Sequence, residues 1–316
     1  MKYQDVIPGQ AENTIICTVN IKDSADMDKT LSIFRDFCDR IHPMVHSMRI
    51  RYPYGHYEFA MGIGARAWDR LFAHTPKPKE LQPFQEIKGK KMTAPATPGD
   101  LIFHIRGDKM DMCYETITMI HILLKDIITP IDETHGFRYR DGLAIIGFVD
   151  GTENPDPQEA PGAVYIDDPK DPFVGGSYLF AQKYLFDHDG WNALPVERQE
   201  AVIGRKKWTD LEIAEDKKLT ESHTEISKAH DKRGDELKIM RANLVFAKPS
   251  ENLFGSYFLG YSKSFAITQQ MLTHMFEGDP VGTHDLLLDY LTPVTGNVFF
   301  VPTYAQLEMI ASGDIS

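Results

Sequence analysis

Five prolines fall between Asp150 and Pro172. Each lacks a backbone N–H and has a fixed φ, so neither a helix interior nor a central strand fits there. The segment, DGTENPDPQEAPGAVYIDDPKDP, is also acidic and reads as a long loop. Long ordered loops in compact proteins often carry function. This one divides a chain of 316 residues, long enough for two domains of ordinary size.

The parts on either side follow a similar recipe. In the first, Thr14–Ile21 (TIICTVNI) is β-branched and predicts a buried strand. Met27, Leu31, Phe34, Cys38 and Ile41 recur at helical spacing, predicting a helix over Met27–Ile41. Tyr57–Gly64 and Asp100–Gly107 read as strands, and Asp111–Ile128 as a long apolar helix ending before Pro130. The Lys- and Pro-rich stretch Thr75–Gly99 reads as a surface loop. In the second part, Gly175–Phe186 and Ser256–Tyr261 read as strands. Ala266–Phe276 reads as a helix with Ile267, Met271 and Met275 on one face. No residue-level repeat accompanies this order, which is that of two related α+β domains.

Composition narrows the function. Hydrophobic residues make up 42% and charged residues 25%, as in a folded globular protein. The net charge of -12, with no Lys/Arg-rich tract, argues against a nucleic-acid surface. That acidity serves solubility, or a preference for neutral or cationic substrates and metal ions. The N-terminal residues lack the basic and apolar regions of a secretory signal. No run of about 18 apolar residues suggests a membrane span. Cys17, Cys38 and Cys113 are odd in number and far apart, so core thiols reduced in the cytoplasm are expected rather than disulfides or a CxxC site.

Three stretches hold residues able to do chemistry. In IIGFVDGTENP, Asp150 follows an apolar run, where desolvation would raise its pKa and suit it to shuttling protons. The alternative is an Asp-Gly turn. In ELKIMRANLVFA, strand alternation puts Leu237, Ile239, Arg241, Asn243 and Val245 on one face. Arg241 there offers five donors and a permanent charge, suited to a developing oxyanion, or else forms a structural ion pair. His223, in TESHTEIS, lies in a charged stretch, Glu212–Gly234, and on that alone could be a surface residue. None of the 12 histidines forms HExxH or another paired zinc spacing. A site needing one axial imidazole fits better, and haem is such a site.

Together GFVDGTENP, IGRKK, ESHTEIS and KIMRAN resemble the dye-decolourising peroxidases, in their compact bacterial branch, in word, order and separation. The resemblance covers essentially the whole chain. It implies an α+β fold of two ferredoxin-like domains, divided as 1–145 and 146–316 with the loop 150–172 in the second, and one haem b per chain held mainly by the second domain. It implies His223 as the proximal iron ligand, Asp150, Arg241 and Asn243 as the peroxide-handling set, and Arg205 as the partner of a haem propionate. Asp285 is the implied acceptor for the free imidazole N–H, with Asp289 one helical turn away as the competitor. Gly151, Thr152, Glu153, Phe258 and Met271 are expected further cofactor contacts. Val245 stands where many relatives carry proline, a departure expected to alter the pocket wall or substrate access.

The implied activity is reduction of hydrogen peroxide through a ferryl intermediate, with oxidation of dyes, phenols or similar one-electron donors. Trp191, Trp208 and surface tyrosines are candidate electron relays, although packing is the ordinary role of such aromatics. A homo-oligomer, dimer or higher, is expected, with no nucleic-acid or membrane partner. No cargo-loading extension is visible, so packaging in a protein shell is not expected. Rival readings are a haem carrier or iron-removing protein, which would not need the Asp150–Arg241 pair, and a haem-free interaction protein with His223 exposed.

Overall fold

The computed structural model describes residues 3–9, 11–23 and 26–315. Its main strands, in chain order, are β1 (Asn13–Ile21), β2 (Glu58–Gly64), β3 (Leu101–Gly107), β4 (Ile128–Phe137), β5 (Ser177–Phe186), β6 (Met240–Lys248), β7 (Leu253–Ser262) and β8 (Asn297–Val301). The helices that frame them are α1 (Met27–Arg51), α2 (Met110–Leu124), α3 (His223–Ile226), α4 (Phe265–Glu277) and α5 (Tyr304–Ser312).

In the first half the strands lie in the order β4-β1-β3-β2, all antiparallel. In the second the order is β8-β5-β7-β6. These are the same arrangement, first strand beside fourth and third, and each half is a ferredoxin-like α+β unit. The two sheets meet at both edges: Ile63 and Gly64 of β2 pair with Phe300 and Phe299 of β8, and Phe137 of β4 pairs with Val245 of β6. Closure leaves neither unit with a fully open sheet edge.

Strand alternation divides the core. Ile15, Cys17 and Val19 of β1 pack outward with Phe34, Phe37 and Ile41 of α1. Ile16, between them, points into the ring with Ile102, Leu179, Leu244, Leu259 and Phe299. Truncating a buried phenylalanine such as Phe37 to alanine costs about 3–5 kcal/mol.

Several elements depart from the sequence expectations. α1 continues ten residues beyond Ile41, through Pro43, to Arg51. A proline inside a helix costs about 3 kcal/mol, and burial of Val45 and Met48 beyond it offsets that cost. α2 ends at Leu124 rather than Ile128. β4, ITPIDETHGF, was not expected, because its proline and charges hide an edge-type strand whose pairing to β1 shifts register between Thr18 and Val19. The stretch Thr75–Gly99 is more than a surface loop. It buries Leu81, Phe84, Ile87 and Ala94, and the Phe84 ring lies 4.9 Å from that of Phe180 in the second half. Its Glu80 carboxylate accepts from the Ser264 hydroxyl at 3.0 Å and from the backbone N–H of Ala266 at 2.8 Å. That satisfies a free donor at the start of α4, where acidic charge is favourable. Cys17, Cys38 and Cys113 are free and buried. No helix among the described residues is long and apolar enough to cross a membrane.

Candidate functional site

The second unit holds a cavity of about 1240 Å³, open mouth included. One wall is the outward face of β6 and β7. The ring-facing side chains of β6 include Leu244, so alternation turns Arg241 and Asn243 to the opposite face, beside Ser256 and Phe258 of β7. A second wall is α4, presenting Thr268, Met271, Leu272 and Met275. Residues 144–146 and 148–153, with His223, Thr224 and Ser227, contribute a third side.

His223 is the first residue of α3, a single turn held in place from two sides. Gly204, at φ 91°, ends a short helix, Val196–Ile203, against Ser222 and Thr224, and the Thr224 hydroxyl donates to the Ile203 carbonyl at 3.0 Å. Behind the ring, Nδ1–H donates to Asp285 Oδ2 at 2.6 Å. Asp285 is fully buried, and its Oδ1 accepts the backbone N–H of Leu287 at 2.9 Å. This bond selects the tautomer with Nδ1 protonated and leaves the Nε2 lone pair without a protein partner among the described residues. Asp289 instead binds His284, at 3.1 Å, and Lys91. Of the two aspartates weighed from sequence, the contact belongs to Asp285.

Asp150 lies where the chain turns through Gly151 at φ 77°, a backbone conformation that glycine adopts without strain. The turn and the chemical group thus coexist. Its carboxylate borders the cavity, and desolvation there raises its pKa above the ordinary aspartate value. The Asn243 side-chain amide, donating to Oδ1 at 2.6 Å, opposes the rise, as does the positive charge of Arg241.

Arg241 extends into the cavity with Nη1–H donating to the Glu153 carbonyl at 2.8 Å. Burial lowers its pKa, and Glu153, Glu236 and Asp150 counter that effect, so the guanidinium keeps its charge. Among the described residues it is not locked in a side-chain ion pair. Arg205 is: it binds the Glu153 carboxylate at 3.0 Å and the Asp210 carboxylate at 2.9 Å while lining the same cavity.

All the other expected contacts, Gly151, Thr152, Glu153, Phe258 and Met271, line the cavity as well. Val245 does not. It is buried at the seam opposite Phe137, two residues beyond Asn243 on β6. Trp191 is packed among Phe148, Phe186 and Tyr290, whereas Trp208 is 82% exposed.

Sequence reasoning missed Asn154. Its amide accepts the Arg241 backbone N–H at 2.8 Å and donates to the Arg241 carbonyl at 2.9 Å, covering the edge of β6 where no strand pairs. The signal was present in GTENP, but an Asn before proline reads as a turn residue. The apolar walls from Ile145, Ile146, Phe148 and Leu287 were also missed, being drawn from short segments with no periodicity.

The fit to a flat, largely apolar group with one coordinating atom is good. The cavity is mainly apolar, one imidazole nitrogen is free at its wall, and three polar side chains converge on it.

Comparison with known proteins agrees. A model of the Dyp-type peroxidase N-terminal region matches residues 4–138, and one of the C-terminal region matches residues 141–306. A dye-decolorizing peroxidase of Rhodococcus erythropolis is 48% identical, covering 85% of this chain and 78% of its own. The crystal structure of a dye-decolorizing peroxidase from Bacteroides thetaiotaomicron superposes with a TM-score of 0.93 at 47% identity, covering 98% of each chain. A variant of DypB from Rhodococcus jostii RHA1, in complex with heme, gives a TM-score of 0.90 at 39% identity over 96% of this chain and 97% of its own.

Proposed function

This chain belongs to the Dyp-type, or dye-decolourising, peroxidase family and is a haem-dependent peroxidase, and from that premise we propose which of its residues do the work. His223 Nε2 holds the iron of one haem b. The observation that carries this is the 2.6 Å bond from its other nitrogen to the buried Asp285. Haem, when bound, supplies an iron that accepts oxidising equivalents from peroxide and passes them singly to a reducing substrate.

The remaining steps fall to the polar groups on the cavity wall. The Asp150 carboxylate takes a proton from one peroxide oxygen and delivers it to the other, directly or through a water. Arg241 stabilises negative charge on the departing oxygen, and Asn243 holds Asp150 in place. Two protons and two electrons convert peroxide to two waters, so two donor molecules, dyes or phenols, are oxidised per turnover. Arg205 meets a haem propionate by exchanging one of its present carboxylate partners. Gly151, Thr152, Glu153, Phe258 and Met271 contact the macrocycle.

The units divide at residues 145 and 146. The three free, buried cysteines support a cytoplasmic location. Trp208 and Leu211, exposed by 82% and 66%, support a homo-oligomer, dimer or larger.

Haem-loaded protein mixed with hydrogen peroxide and a phenolic donor tests the reading. Peroxide-dependent oxidation by the native chain, lost when Asp150→Asn and Arg241→Leu are combined, is expected. Undiminished turnover by that double variant overturns the assignment.

A further inference from the structure

A second group of coordinating side chains lies in the first unit, on the outer face of its sheet and away from the cavity. Cys17 of β1 and Glu133 of β4 are direct cross-strand partners, so their side chains share one face. His121 of α2 reaches down onto that face. Its Nε2 lies 3.9 Å from Cys17 Sγ and 3.9 Å from Glu133 Oε2. The three donor atoms all lie within 4.8 Å of one another. His135, two residues along β4, sits 2.6 Å from the other carboxylate oxygen, Oε1. His121, Glu133 and His135 open onto a surface hollow also lined by Tyr114, Ile117 and Lys125, while Cys17 itself is buried.

The geometry points to a binding site for a thiophilic divalent cation, zinc being the type, with Cys17, His121 and Glu133 as ligands and His135 orienting the carboxylate. A sulfur, an imidazole and a carboxylate oxygen form a donor set that zinc accepts, whereas calcium and magnesium prefer oxygen alone. In a tetrahedral zinc site the sulfur–nitrogen and nitrogen–oxygen separations are about 3.6 and 3.3 Å, given the usual metal–ligand lengths. The two separations from the imidazole nitrogen need to close by about 0.3 and 0.6 Å, and the sulfur–oxygen separation, now within 4.8 Å, by at most about 1.2 Å, within reach of rotamer adjustment at the partly exposed His121 and Glu133. A fourth position stays open to water from the hollow.

The Glu133 carboxylate also places negative charge beside the sulfur. A bound divalent ion replaces the thiol proton and neutralises the carboxylate. Since β1, β4 and α2 each supply a ligand, binding would also tie the helix to the sheet.

The test uses the haem-loaded full chain, so that His223 is already engaged, with zinc alone in equilibrium dialysis at micromolar concentration. One zinc per chain is expected. His121→Gln and Glu133→Gln should each weaken binding by at least about tenfold, and zinc should raise the melting temperature of the native chain only. Cobalt in its place should give a thiolate-to-metal charge-transfer band that Cys17→Ser removes. His121→Gln alters a partly exposed side chain, so the test does not depend on Cys17→Ser folding. Absence of bound zinc, or native affinity in His121→Gln, overturns the proposal.

Discussion

Asp285 stands directly behind His223, its Oδ2 accepting the imidazole Nδ1–H at 2.6 Å while Oδ1 is held by the Leu287 backbone N–H at 2.9 Å. A buried carboxylate fixed at both oxygens cannot turn away, so it sets both the tautomer and the plane of the imidazole. It also pulls the Nδ1 proton toward itself, making Nε2 a stronger donor and favouring the oxidised metal.

Replacing Asp285 with asparagine removes that charge while keeping the volume. Peroxidase turnover should fall by about 10- to 100-fold, as for other groups that orient a metal-binding histidine. The midpoint potential of the haem-loaded protein should rise. Spectroelectrochemical titration checks this, and an unchanged potential would assign Asp285 a purely structural role.

Asp150 sets the acid side of the pH profile. Desolvation raises its pKa above the ordinary value of 3.8, and the hydrogen bond from Asn243 lowers it again. The base must be ionised, so activity is lost as pH falls through the raised pKa. Asn243→Ala removes an opposing effect and should move the acid limb of kcat/KM to higher pH. For folding the sign is opposite. A carboxyl with a raised native pKa costs stability as pH rises from its unfolded pKa through its folded one. Asp150→Asn should therefore melt at the same temperature as the native chain or higher at neutral pH, while turnover falls by about 10²- to 10⁴-fold.

Arg241→Leu should retain haem but react with peroxide about 10²- to 10³-fold more slowly, the usual cost of losing a preorganised donor to a developing oxyanion. Stopped-flow mixing with peroxide measures this rate. Because Asn154 holds the backbone of residue 241 rather than its side chain, the strand should survive the substitution.

Much of this was legible in the sequence where the physics is local. Alternation across ELKIMRANLVFA put Arg241 and Asn243 on one face, and the strand obeys it from Met240 onward. Helical spacing found α4 and its methionine face. Helix ends and edge strands were less legible, because tertiary burial decided them. Val45 and Met48 carry α1 past Pro43, and β1 recruits β4 despite Pro130 and its charges. The link between His223 and Asp285 spans 62 residues and has no local signature. It entered through resemblance, and choosing Asp285 over Asp289 required the geometry. Glu80 capping α4 joins residues 186 apart, beyond any sequence pattern.

The central claim is that the His223 imidazole is the bond between this chain and its iron. The most direct measurement is haem content and Soret absorbance of His223→Gly after reconstitution with excess haem, beside the native chain. Loss of stable haem and of peroxide turnover, with added imidazole restoring part of both, is the predicted result. Native haem content and native turnover in that variant would contradict it.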